Sequence, residues 1–82
     1  MAALKVSVIS PEATLFEGEA PSVTAPAFDG EVGILPMHAP MVTVLGAGVL
    51  RIGDGARFQV EGGFLQVVDD VVRVVTEKAA RA

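Results

Sequence analysis

The sequence predicts an all-β fold: a sandwich of two sheets, built from many short strands and ending in a frayed or short helical tail. Three observations predict it. Apolar residues recur at a spacing of two far more often than at three or four, the period of a half-buried strand. Glycines and prolines punctuate the chain every few residues, which suits tight turns and breaks helices. Helix formers gather only at the C-terminal end.

The first strand is the alternation of Leu4, Val6 and Val8 with Lys5 and Ser7. Ser10-Pro11-Glu12 ends it, because proline cannot continue a ladder and initiates a turn. Thr14-Leu15-Phe16 opens a short second strand that Gly18 is expected to interrupt. Val23-Thr24-Ala25 lies between Pro21 and Pro26, which confines it to an edge or to a short pairing. Met41 to Leu45 is a better strand, rich in β-branched residues.

Two hairpins follow. Val49–Ile52 and Ala56–Val60 are joined by Gly53-Asp54-Gly55, a strong turn signal. A three-residue loop there sets Leu50 opposite Phe58 and Arg51 opposite Arg57, and the two arginines are tolerable only if exposed or shared with an acid. Phe64–Val68 and Val71–Val75 are joined by Asp69-Asp70, a weaker version of the two-residue hairpin turn. Leu65, Val67, Val72 and Val74 then form one face, with Gln66 opposite Arg73 on the other. Phe64, Val68, Val71 and Val75 make that other face largely apolar too. Burying one such side chain is worth about 1.5–3 kcal/mol, so all four in water is costly. Three explanations stand: a central place in the sandwich, a register off by one, or cover by another subunit. The chain closes on Thr76-Glu77-Lys78-Ala79-Ala80-Arg81-Ala82, a capping threonine before good helix formers but too short to be stable as an isolated helix. Residues 1–76 are expected to form the sandwich domain and 77–82 a tail.

Composition narrows function. The 82 residues allow one domain, and so small a domain has a thin core. With no cysteine there is no disulfide, thiol catalysis or thiolate metal site. Yet 51% of the residues are hydrophobic, more than a small core uses, which points to burial against a partner. A net charge of −4, scattered Lys and Arg, and the absence of Trp and Tyr argue against nucleic acid. No apolar run approaches the ~20 residues of a membrane span, so no direct membrane insertion is expected, and no leader pattern opens the chain.

Chemistry is sparse as well. His38 is the only imidazole, and Ser7, Ser10 and Ser22 lack a nucleophile's setting. Neither lysine follows a glycine-rich turn, so no phosphate loop exists, and carboxylates with one His do not make a metal set. No cofactor is expected, and the domain should work by binding. A lipoyl or biotinyl carrier would need a lysine at a hairpin tip, where this chain has Gly-Asp-Gly and Asp-Asp. A generic β-sandwich interaction module is the alternative to the reading developed next.

The most informative stretch is Gly30-Glu31-Val32-Gly33-Ile34-Leu35-Pro36-Met37-His38-Ala39-Pro40. Two glycines and two prolines fix its path around one Glu and the single His, giving a segment expected to be stiff without being regular. A preorganised loop loses little entropy on docking. The simpler alternatives are a solvated Glu31 and a His38 that serves carbonyls of its own loop. With the apolar strand Met41-Val42-Thr43-Val44-Leu45 and Gly48-Val49-Leu50-Arg51-Ile52 after it, this run closely resembles the signature of the epsilon subunits of F-type ATP synthases. The resemblance extends from Leu4 to Thr76.

That resemblance implies a non-catalytic central-stalk subunit of a proton-translocating synthase, coupling rotation of the membrane c-ring to the gamma subunit and the catalytic head. It implies that the two-sheet sandwich is flattened and has about ten short strands, and it implies a peripheral place on the cytoplasmic side of a bacterial plasma membrane. By matching positions, Glu31, Val32, Gly33 and His38 fall where the family meets the polar loops of the c-ring. His38, Ala39, Pro40, Met41, Val42 and Thr43 fall where it meets gamma. Most bacterial members continue into a helical hairpin that restrains hydrolysis and in some binds ATP; this chain stops at Ala82, where the hairpin would start. The expectation is that this polypeptide neither binds ATP nor inhibits hydrolysis, which saturable NMR shifts on ATP titration would refute.

Overall fold

A computed structural model describes residues 3–82, so the first two residues of the expected 1–76 domain lie outside it. Eight strands are present and no helix among the described residues: β1 (Leu4–Ile9), β2 (Thr14–Ala20), β3 (Val23–Ala27), β4 (Gly30–Ile34), β5 (Met41–Val44), β6 (Ala47–Ile52), β7 (Ala56–Val68) and β8 (Val71–Arg81). They form one continuous ladder in the order β2-β1-β8-β7-β6-β3-β4, with β5 added on β7. The ladder folds over on itself. The C-terminal half of β7 pairs with β5, its N-terminal half with β6, and β8 follows it throughout. One layer is therefore β2, β1 and the outer halves of β8 and β7 with β5; the other is β4, β3, β6 and the remaining halves. Counting β7 and β8 once in each layer turns eight strands into ten segments, the number the family resemblance implies.

The fold line is a glycine pair. Gly62 and Gly63 have φ of 74° and 104°, in the left-handed region that side chains avoid. Inward-facing residues change parity across them, from Phe58 and Val60 to Leu65 and Val67. A Cβ on Gly63 would meet the Val75 carbonyl oxygen at 1.9 Å, so the crease has no room for a side chain. Between the layers lies one core of Leu4, Val6, Val8, Val23, Ile34, Leu50, Phe58, Val60, Leu65, Val67, Val72 and Val74 with their neighbours. Phe16 of β2 meets Phe58 edge to face across it, with centroids 6.5 Å apart. The one buried polar side chain at the crease, Thr76, donates its hydroxyl to the Lys78 carbonyl at 2.9 Å.

Both hairpin registers agree with the sequence reading. Leu50 faces Phe58 and Arg51 faces Arg57; Leu65 faces Val74, Gln66 faces Arg73 and Val67 faces Val72. Asp69 and Asp70 have φ of 50° and 62°, both positive as a type I′ turn requires. β3 pairs with β6 through only Val23 and Thr24, the short pairing its prolines predict.

Three expectations need correction. Gly18 does not interrupt β2, which runs on to Ala20, because Gly18 keeps its place opposite Val6. Gly30–Ile34 is not irregular but forms β4 on β3, so only 35–40 is loop. The tail is neither helical nor frayed: β8 continues to Arg81, with Lys78, Ala79, Ala80 and Arg81 opposite Glu61, Val60, Gln59 and Phe58. The open side of β7 offers backbone partners that a seven-residue helix cannot match. Ala79 packs on the core, and the Arg81 guanidinium sits 5.5 Å from the Phe58 ring centroid.

Candidate docking surface

Strand alternation decides what the β5–β7–β8 layer shows to water. On β5, Met41 and Thr43 stand opposite Val67 and Leu65 and turn inward, which leaves Val42 and Val44 outward opposite Gln66 and Phe64. The outward row continues with Val68 on β7 and with Val71, Arg73 and half-buried Val75 on β8. Val42 is 68% exposed, Val44 57%, Val71 47% and Phe64 41%. Phe28, at the β3–β4 turn, is also exposed, and its amide donates to the Val44 carbonyl at 3.0 Å. This is a contiguous run of strand positions carrying large apolar side chains, of the kind that marks an interaction site rather than scattered surface residues.

The loop 35–40 closes the other end of the row. Leu35 and Met37 are exposed, and Met37, at 86%, is the most exposed large apolar residue among the described residues. Its φ of 67° is left-handed, an arrangement that costs a non-glycine residue about 1 kcal/mol. Its amide donates to Asp70 Oδ1 at 2.6 Å, a charge-assisted bond reaching from the loop to the β7–β8 turn. The Lys5 amide donates to the Asp70 carbonyl at 2.8 Å, so this aspartate joins three segments. His38 is half-buried and holds the Ala39 carbonyl oxygen 2.7 Å from its Nδ1, within its own loop. Met37, His38, Pro40, Asp69 and Asp70 line one shallow depression.

The structure divides the residues singled out from the sequence. His38, Ala39, Pro40 and Val42 lie together on the loop and the outward side of β5. Met41 and Thr43 share that segment but turn towards the core. Glu31 and Gly33 lie in the other layer, on β4 opposite Pro26 and Thr24, and Val32 packs partly on the core. Glu31 is not simply solvated. Its Oε2 accepts from Arg51 Nη2 at 3.2 Å, with both side chains about half exposed (58% and 47%). This is the acidic neighbour that the facing Arg51 and Arg57 require.

Sequence reasoning missed Phe28, Leu35, Met37 and Asp70. A signal existed for the first three: large apolar residues at turns, where polar ones are usual, flanking Asp29-Gly30 and Pro36. For Asp70 none existed, because an aspartate in a tight turn is commonplace.

Residues 3–82 match the family model of the ATP synthase delta/epsilon chain β-sandwich domain. The chain is 49% identical over 80 residues to the ATP synthase epsilon chain of Leptospira borgpetersenii serovar Hardjo-bovis, covering 94% of this chain and 63% of that protein. It is 42% identical over 81 residues to that of Desulforamulus reducens, covering 95% and 61%. The chain thus spans about three-fifths of the length of the curated relatives it matches. In fold it is similar to a chain of the Euglena gracilis mitochondrial ATP synthase in an OSCP/F1/c-ring structure, with a TM-score of 0.90. That match has 24% identity and covers 99% of this chain and 54% of the other. A chain of the Tetrahymena thermophila mitochondrial ATP synthase central stalk and c-ring gives a TM-score of 0.81 at 17% identity, covering 94% and 65%.

Proposed function

The chain belongs to the family of ATP synthase delta/epsilon β-sandwich domains, and from that premise we propose that it is a non-catalytic rotor element of a proton-translocating ATP synthase. It docks on the gamma subunit through the apolar β5–β7–β8 face and the loop 35–40. It reaches the polar loops of the c-ring through Glu31, Val32, Gly33 and His38. In this way rotation of the ring passes to gamma and to the catalytic head. It works as part of a membrane-bound complex, peripherally on the cytoplasmic side of a bacterial membrane.

The observation that carries this reading is the outward row of Val42, Val44, Phe64, Val68 and Val71 on a folded, well-packed body. A rotor coupling must transmit torque without slipping, which calls for a stiff element with a wide apolar interface. The crease at Gly62–Gly63, with β7 and β8 running through both layers, gives such a body. Glu31 differs in character: a charged, half-exposed side chain on the other layer suits contact with polar loops.

The test is retention of a tagged 82-residue chain by a co-expressed gamma subunit, followed by assembly with a c-ring. The expected result is a stable chain–gamma complex that Val42→Glu abolishes and Glu31→Lys leaves intact. Glu31→Lys should instead weaken coupling of proton pumping to hydrolysis in the assembled enzyme. Failure of the wild-type chain to hold gamma would sink the proposal.

A further inference from the structure

We propose that Asp70 is a positioning residue for docking: its carboxylate, bonded to the Met37 amide, sets the conformation of the loop 35–40 and thereby the affinity of the chain for gamma. The inference rests on the docking reading above and deepens it. It starts from an unusual arrangement. Among the described residues Met37 carries the most exposed large apolar side chain, and it also holds a left-handed backbone, with φ 67°. Nothing about an exposed methionine favours that backbone, so its surroundings must impose it. Pro36 before it and Pro40 after it restrict the loop but leave the Met37 torsion free.

The one bond that reaches Met37 from a distant element is that to Asp70 Oδ1, at 2.6 Å across 33 residues of sequence. Asp70 is itself fixed. It occupies a type I′ turn with φ 62°, and its carbonyl accepts from the Lys5 amide at 2.8 Å. A rigid hairpin tip therefore holds the loop in place and directs Met37 outward beside His38 and Pro40. Loop order prepared before binding raises affinity by lowering the entropy lost on docking. Asp69 makes a matched comparison. It lies in the same turn, carries the same charge and also has positive φ, at 50°.

The experiment compares Asp70→Gly with Asp69→Gly in the 82-residue chain. Both remove one charge, and glycine keeps the turn in each because it accepts positive φ freely. Amide hydrogen exchange at Met37 reports loop order, calorimetric titration with recombinant gamma subunit reports affinity, and denaturant midpoints report the fold. Asp70→Gly is expected to speed Met37 exchange about tenfold and weaken gamma binding about tenfold. Asp69→Gly, which removes a side chain lining the same depression but no bond to the loop, changes Met37 exchange less than about twofold and weakens binding clearly less than Asp70→Gly does. Asp70→Asn, which keeps an acceptor oxygen, should recover at least half of each logarithmic change. If Asp70→Gly lowers the denaturant midpoint, Met37 exchange is read against that of core amides in β7 and β8 of the same variant, a selective rise at Met37 supporting the inference and a uniform rise overturning it.

Equal effects of the two glycine variants would overturn the inference. So would weaker binding with unchanged Met37 exchange, since Asp70 would then touch gamma directly. Faster exchange with unchanged affinity would overturn it as well. Failure of the wild-type chain to bind gamma would reject the docking reading, while the exchange arm would still decide whether Asp70 orders the loop.

Discussion

The two faces of the β7–β8 hairpin near its turn are made from nearly the same residues and meet opposite fates. Leu65, Val67, Val72 and Val74 are fully buried, whereas Phe64, Val68 and Val71 on the reverse face are exposed by roughly two-fifths or more. Burial alternates along these strands as the pleat demands; polarity does not. In an antiparallel sheet with one solvated face, the outward positions are ordinarily polar. Here only Gln66 and Arg73 keep to that rule, and the remaining apolar patch is of the kind that marks an interaction site. The inner face explains why the domain folds, and the outer face is the surface proposed to dock on gamma.

Substitutions can break that comparison, starting where both faces are set. Gly63→Ala pushes a Cβ into the Val75 carbonyl at the crease, and the loss of stability should be about 4 kcal/mol or more, read from urea denaturation. Leu65→Ala empties a fully buried site and should cost about 3 kcal/mol in the same assay. Val42→Glu, on the open face, should change stability by less than about 1 kcal/mol yet weaken gamma binding at least about tenfold. A stability loss as large as that of Leu65→Ala would mean the outer face already serves the isolated fold. Smallest is Arg51→Ala, which removes a half-exposed ion pair with Glu31 and should shift stability by at most about 0.5 kcal/mol. That shift should shrink further in 0.5 M salt, which separates it from a packing effect.

Legibility followed the range of each interaction. Both hairpin registers were readable because a turn of given length and an alternating strand leave one solution, as Gly53-Asp54-Gly55 and Asp69-Asp70 illustrate. The tail was misread because Glu77-Lys78-Ala79-Ala80-Arg81 has helix propensity but meets an unpaired stretch of β7, and tertiary pairing overrides a weak local preference. Strand β4 was hidden within a motif whose glycines suggested irregular structure, although Gly33 sits in the ladder opposite Thr24. Of the site, His38, Pro40 and Val42 were marked by the motif. Phe28 and Met37 needed the fold to show that they border the same face.

Period-two apolar spacing and turn chemistry were enough, on the residues alone, to define a β-sandwich. These are local or compositional properties, readable without knowing which strands meet. The parallel pairing of β1 with β8, the addition of β5 to β7, the Glu31–Arg51 pair and the Asp70–Met37 bond belong to the tertiary structure alone. Each joins residues at least 20 positions apart, and no local pattern records which distant backbone or carboxylate will arrive. Only closing the core brings them together.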